Sequence, residues 1–144
     1  MEREKRIESR LREYPNIDFR LTMLAQKLDR VKMKGSPRDI SAVDFGKVGS
    51  GGSGASGNAV TILKETQDII NSINELEFER ATIQQVVEKI REESEEQYNF
   101  IDYYYYRCTP IMETAELLGY SYNSRNTIYN IKNLVIEKCD KYGL

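Results

Sequence analysis

Two phrases, Thr109-Pro-Ile-Met-Glu-Thr-Ala-Glu-Leu-Leu-Gly119 and Ser124-Arg-Asn-Thr-Ile-Tyr-Asn-Ile131, both within the final stretch Thr109–Leu144, decide the fold. The first opens with a hydroxyl residue suited to capping orphan N–H groups and a proline suited to the first helical position, and it closes on a glycine stop. Ile111, Ala115 and Leu118 share one face, and Ala115 is small enough to let a second helix cross closely. Ser124 caps the second helix, whose Ile128, Ile131 and Val135 recur at three and four. Arg125, Asn126, Tyr129, Asn130 and Lys132 fall largely off that face. The expectation is a helix-turn-helix with a supporting and a recognition helix. Arginine reads guanine bidentately and asparagine reads adenine, so the polar face suits a major groove. The candidate contacts to double-stranded DNA are Tyr122, Asn123, Ser124, Arg125, Asn126, Thr127, Tyr129, Asn130, Lys132 and Asn133. The competing reading is a plain helical hairpin with a solvated polar face. The turn within Tyr120–Ser124 is three residues longer than in the usual bihelical unit.

Length and composition bound the rest. A chain of 144 residues makes one or two small units. It has no histidine and no tryptophan, and Cys108 and Cys139 lack the paired spacing of a zinc site. No catalytic residues, metal or cofactor are therefore expected, and the chain reads as no enzyme. No apolar run approaches the ~20 residues that span a bilayer, and the N-terminus is not signal-like. A soluble, cytoplasmic protein with reduced thiols and no membrane partner is expected.

Charge is uneven. The 21 basic and 23 acidic residues nearly cancel, yet residues 1–34 hold ten Lys or Arg against six acids, and residues 58–98 hold four against ten. The C-terminal reader is close to neutral, so phosphate attraction from one copy would be weak, and two copies or a partner protein are expected.

Upstream, Ile7, Leu11 and Tyr14, then Ile17, Leu21, Leu24, Leu28 and Val31, make an apolar helical stripe with a break or kink expected at Tyr14-Pro15. Gly46 through Gly57 contains six glycines and three serines and reads as a flexible linker. It lacks the strand before and the Lys-Ser/Thr helix after that a phosphate loop needs. A long helix from near Asn58 carries Thr66, Ile69, Ile73, Leu76, Arg80, Ile83, Val87 and Ile90 at coiled-coil spacing. Its partner is either another subunit or the chain's own N-terminal helices. Ser94-Glu-Glu-Gln97 has the form of a capping box and restarts a helix through the tyrosine run 103–106, of which one or two rings belong in the core.

In this order, the R-L-R-E-Y helix, the Ser36-Pro37-Arg38 and Gly49–Gly57 connector, the long Ile/Leu/Glu helix and the closing Thr109–Ser121 and Ser124–Tyr129 phrases resemble phage-encoded regulators of the ArpU and RinA type. The C-terminal part of those proteins is similar to region 4 of bacterial sigma factors. The resemblance implies an activator of late or packaging genes in phages and prophages of Gram-positive hosts, working at a promoter with RNA polymerase. Two features depart from it: the longer turn, and Asn130 where the family often has a basic residue. The expected organisation is all-α: an N-terminal helical segment 1–34, a flexible Gly/Ser linker 35–58, a long coiled-coil-like helix 59–93 and a helix-turn-helix domain 94–144. Alternatives are a small-terminase-like packaging subunit, or a coiled-coil interaction protein whose helix-turn-helix is structural. A homo-oligomer fits each.

Overall fold

The computed structural model describes residues 2–34, 52–121 and 123–144. The fold is all-α: α1 (Glu2–Lys34), α2 (Gly52–Glu93), α3 (Glu95–Phe100), a π-helical segment (Ile101–Tyr106), α4 (Ile111–Leu117) and α5 (Arg125–Lys141), with no strand among the described residues. The chain divides into two compact units, one of Met1–Asp18 with Phe78–Leu144, the other Phe19–Glu77. Thus α1 and α2 each contribute to both.

α1 is one helix through Pro15, so of the kink or break expected there the break does not occur. Proline removes the donor to the Leu11 carbonyl and crowds it. The helix is held on both sides of this defect, because Leu11 and Ile17 are fully buried. The neighbouring Tyr14 ring stacks on Tyr106 with centroids 5.1 Å apart.

Of the segment read as a linker, residues 35–51 lie outside the described residues. Gly52–Asn58 belongs to α2, which begins at Gly52 rather than near Asn58. Glycine costs a helix about 1 kcal/mol relative to alanine without forbidding it, and extending a formed helix gains a hydrogen bond per residue.

Within the first unit the seam of α2 meets the chain's own N-terminal helix. Ile83, Val87 and Ile90 are buried, as are Ile7 and Leu11 of α1. Arg10 grips Glu79 through two bonds of 2.6 and 3.1 Å and donates to the Leu144 carbonyl at 3.0 Å. Arg80, the cation in the seam, meets Asp18 at 2.6 Å, on a solvent-exposed edge.

The Ser94 cap forms on one side only. Its hydroxyl accepts from the Gln97 N–H at 3.3 Å, while the Ser94 N–H already donates to the Ile90 carbonyl at 2.8 Å, so the Gln97 side chain has no donor to reach back to. The tyrosine run then widens into π geometry, closed by Arg107 N–H to the Asp102 carbonyl at 3.0 Å. Phe100, Ile101 and Tyr105 are fully buried, while Tyr103, Tyr104 and Tyr106 are half-buried. One tyrosine of the four is therefore core. Cys108 ends the segment at φ +55°, a conformation that costs a side chain about 1–2 kcal/mol.

A candidate nucleic-acid interface

The helical pair α4 and α5 stands on α3 and the π-helical segment within the first unit: α3 contacts α5, the π segment contacts α4, and α4 contacts α5. α4 begins at Ile111, one residue later than the sequence suggests. Pro110 is the cap, with extended backbone, and Thr109 does not cap. In place of that cap, the buried Thr114 hydroxyl donates back to the Pro110 carbonyl at 3.0 Å.

The stop lies where expected. Gly119 takes φ +92°, its N–H bonds the Glu116 carbonyl at 3.0 Å, and the Tyr120 N–H bonds the Ala115 carbonyl at 2.9 Å. These are the paired bonds of a Schellman turn, and they satisfy two orphan carbonyls of α4. Ala115 itself is fully buried, as the close crossing requires.

α5 starts at Arg125 after Ser124, which occupies the cap position without a capping bond to the backbone. Its hydroxyl pairs instead with the Ser121 hydroxyl at 3.0 Å and tightens the turn. Tyr120 closes the other side by donating to Glu96 at 2.8 Å, a bond that holds its phenol above the ordinary value. Along α5, Ile128, Ile131, Val135 and Cys139 are buried. Burial pushes the Cys139 thiol up to about 12, which leaves it no nucleophile at neutral pH.

The predicted contact residues divide into two sets. Asn123, Arg125, Asn126, Thr127, Tyr129, Asn130 and Asn133 are exposed, Ser124 is half-buried, and Tyr122 lies outside the described residues. Asn126, Asn130 and Asn133 step by four and three along one side. The Arg125 guanidinium lies over the Tyr129 ring at 5.7 Å, beside a groove of about 430 Å³ lined by Ile111, Met112, Asn123, Arg125 and Tyr129.

Lys132 belongs elsewhere. Its ammonium is 3.7 Å from Glu8 and 4.0 Å from Glu4 of α1, and its side chain is only 16% exposed. The helical period put it off the apolar face, and α1 covers that flank. Lys138 is likewise held by Glu93 at 3.1 Å, and Tyr142 donates to the same carboxylate. Those two bonds, the tyrosine's first, keep the Glu93 carboxyl below its usual range.

Sequence reasoning missed an aromatic and cationic cluster. Arg12 lies 5.6 Å from both Tyr104 and Tyr105, and Lys132 lies 5.8 Å from Tyr104 and Tyr129. The tyrosine run was the available signal, but its partners are more than 80 residues away on α1 or nearly 30 away on α5. Tyr105 and Tyr106 bury hydroxyls that have no hydrogen-bond partner among the described residues, and burial raises both phenols far above the ordinary range.

Among the described residues no group of three or more His, Cys, Asp or Glu is placed to hold a metal, and no helix is long and apolar enough to cross a membrane. No protein-family model, curated protein or solved structure matches this chain.

Proposed function

We propose that this chain is a sequence-specific double-stranded DNA-binding transcriptional regulator, of the kind that acts at phage or prophage late promoters together with RNA polymerase. One observation carries the reading: α5 buries Ile128, Ile131 and Val135 and leaves Arg125, Asn126, Tyr129, Asn130 and Asn133 in solvent. A helix held by its apolar side on a capped supporting helix, with amides and a guanidinium projecting from its N-terminal half, meets the requirement for major-groove readout. The positive end of the α5 dipole adds attraction for a phosphate there. The role has no catalytic step and needs no cofactor.

The electrostatic share of binding is small. Of the four cations of α5, Lys132 and Lys138 are engaged by carboxylates, which leaves Arg125 near the reading end and Lys141 at the other. Base contacts and more than one copy must then supply much of the affinity.

The test is recovery of DNA fragments from a sheared phage genome by the full-length chain at low salt, followed by titration of the recovered fragment and a scrambled control. Preferential retention of one fragment, with a shallow salt slope, is the expected result. Equal retention of all fragments, or none, overturns the proposal and favours an interaction protein with a structural helix-turn-helix.

A further inference from the structure

The outward crest of α5 is made of amides. At 100° per residue, Asn126, Asn130 and Asn133 fall within an arc of about 60°, and that arc stands opposite the line of the buried Ile128 and Val135. All three are exposed. The two cations nearest them lie off the crest: Arg125 rests on the Tyr129 ring, and Lys132 is held by Glu8. The first charge on the crest itself is Glu137, exposed about one turn beyond Asn133. Its carboxylate repels phosphate, so the part of the crest fit to enter a groove ends at Asn133.

A carboxamide offers one donor and one acceptor side by side. Of the base edges in the major groove, adenine alone presents the complement, with N6 as donor and N7 as acceptor. Guanine presents two acceptors, cytosine a donor, and thymine an acceptor beside a methyl group. An asparagine facing guanine would therefore set its carbonyl oxygen against another acceptor. Spacing sets the length of the site. With a rise of 1.5 Å per residue, Asn126 to Asn133 covers about 10 Å, or about three steps of a duplex that rises 3.4 Å per base pair. Thr127 and Leu134 lie together on one flank of the crest, Leu134 being 46% exposed, and offer apolar contact to thymine methyls along the groove wall.

We infer, on the DNA-binding role proposed above, that the site recognised by this chain centres on a run of about four consecutive A·T pairs, and that Asn126, Asn130 and Asn133 read its adenines through N6 and N7. Arg125, on the flank and at the start of the helix, lies beside this run rather than over it.

The full-length chain, offered a library of random duplexes at low salt, should enrich sequences that share such a run. On one enriched duplex, 7-deazaadenine placed at each adenine in turn removes the N7 acceptor and keeps Watson–Crick pairing. Binding should weaken roughly tenfold at the adenines that are read. Asn126→Ala and Asn130→Ala, with helix content checked by circular dichroism, should each relax the preference at one position of the run and lose the response to 7-deazaadenine there. Three results overturn the inference and leave sequence-specific DNA binding standing: enrichment of a G·C core, an A·T run bound equally well with 7-deazaadenine at every adenine, or a preference that both variants keep in full. Failure to enrich any sequence overturns the inference and the DNA-binding role together.

Discussion

Lys132 of α5 places its ammonium 3.7 Å from the Glu8 carboxylate of α1, and both side chains are largely withdrawn from solvent, at 16% and 12% exposed. The same carboxylate is shared with Arg12 at 3.6 Å. A lysine that counts as a candidate DNA contact by helical period is thus a tie between α5 and α1. Lys132→Met should lower stability by about 1–3 kcal/mol, the cost of leaving a shielded charged group short of a partner. The preference for cognate over scrambled DNA should not change. A variant that melts like the wild type but loses that preference would return Lys132 to the reading face.

Arg125 is expected to behave in the opposite way. It is exposed at the start of α5 and rests on Tyr129, so Arg125→Ala should leave the melting temperature nearly unchanged. Discrimination between cognate and scrambled sites should fall by about 1–3 kcal/mol, the worth of one bidentate base contact. Paired titrations read this directly, and an undiminished ratio would remove Arg125 from the specificity residues.

Two positions test the left-handed backbone with opposite signs. Gly119 sits at φ +92° with nothing within 4 Å of where a Cβ would project, so Gly119→Ala meets only the conformational penalty. It should destabilise by about 1–2 kcal/mol. Cys108 sits at φ +55° and is exposed, so Cys108→Gly relieves the same penalty and should stabilise by up to about 1 kcal/mol. Chemical denaturation of the pair would show opposite displacements of the midpoint.

Alkaline pH should unfold this protein through Tyr105 and Tyr106, whose hydroxyls are buried. Burial raises the Tyr105 and Tyr106 phenols above the value they have in an unfolded chain, near 10. The unfolded state therefore loses protons first. Their contribution is intact below about pH 10 and declines above it, by as much as about 1.4 kcal/mol per pH unit for each ring. Tyr105→Phe should be neutral or slightly stabilising at pH 7, since its hydroxyl gives up no partner. It should also flatten the alkaline limb of the stability profile; an unaltered limb would assign the transition to other groups.

Arg80 separates an ion pair from a seam residue. Its bond to Asp18 is short, but the two side chains are 41% and 75% exposed, and exposed pairs contribute little. Arg80→Leu fills the gap between Leu76 and Ile83 and should raise the melting temperature while loosening control of helix register. A pronounced drop in melting temperature would mean that the pair itself holds α1 to α2.

Local chemistry determined much of this molecule in advance. Periods of three and four specified the helices, Gly119 specified the stop of α4, Ser94 specified the start of α3, and the apolar face of α5 followed from Ile128, Ile131 and Val135. Each is set by residues within one or two turns of each other, where backbone geometry leaves few options. Tertiary structure decided what depends on distant partners. Pro15 is carried inside a continuous helix because Leu11 and Ile17 are buried on either side of it. Lys132 turns to Glu8, 124 positions away in sequence, because α1 covers its flank. The tyrosine run takes π geometry with Tyr105 inside and Tyr106 on Tyr14. Which polar residues stay in solvent depends on what the rest of the chain covers, and helical period alone does not contain that information.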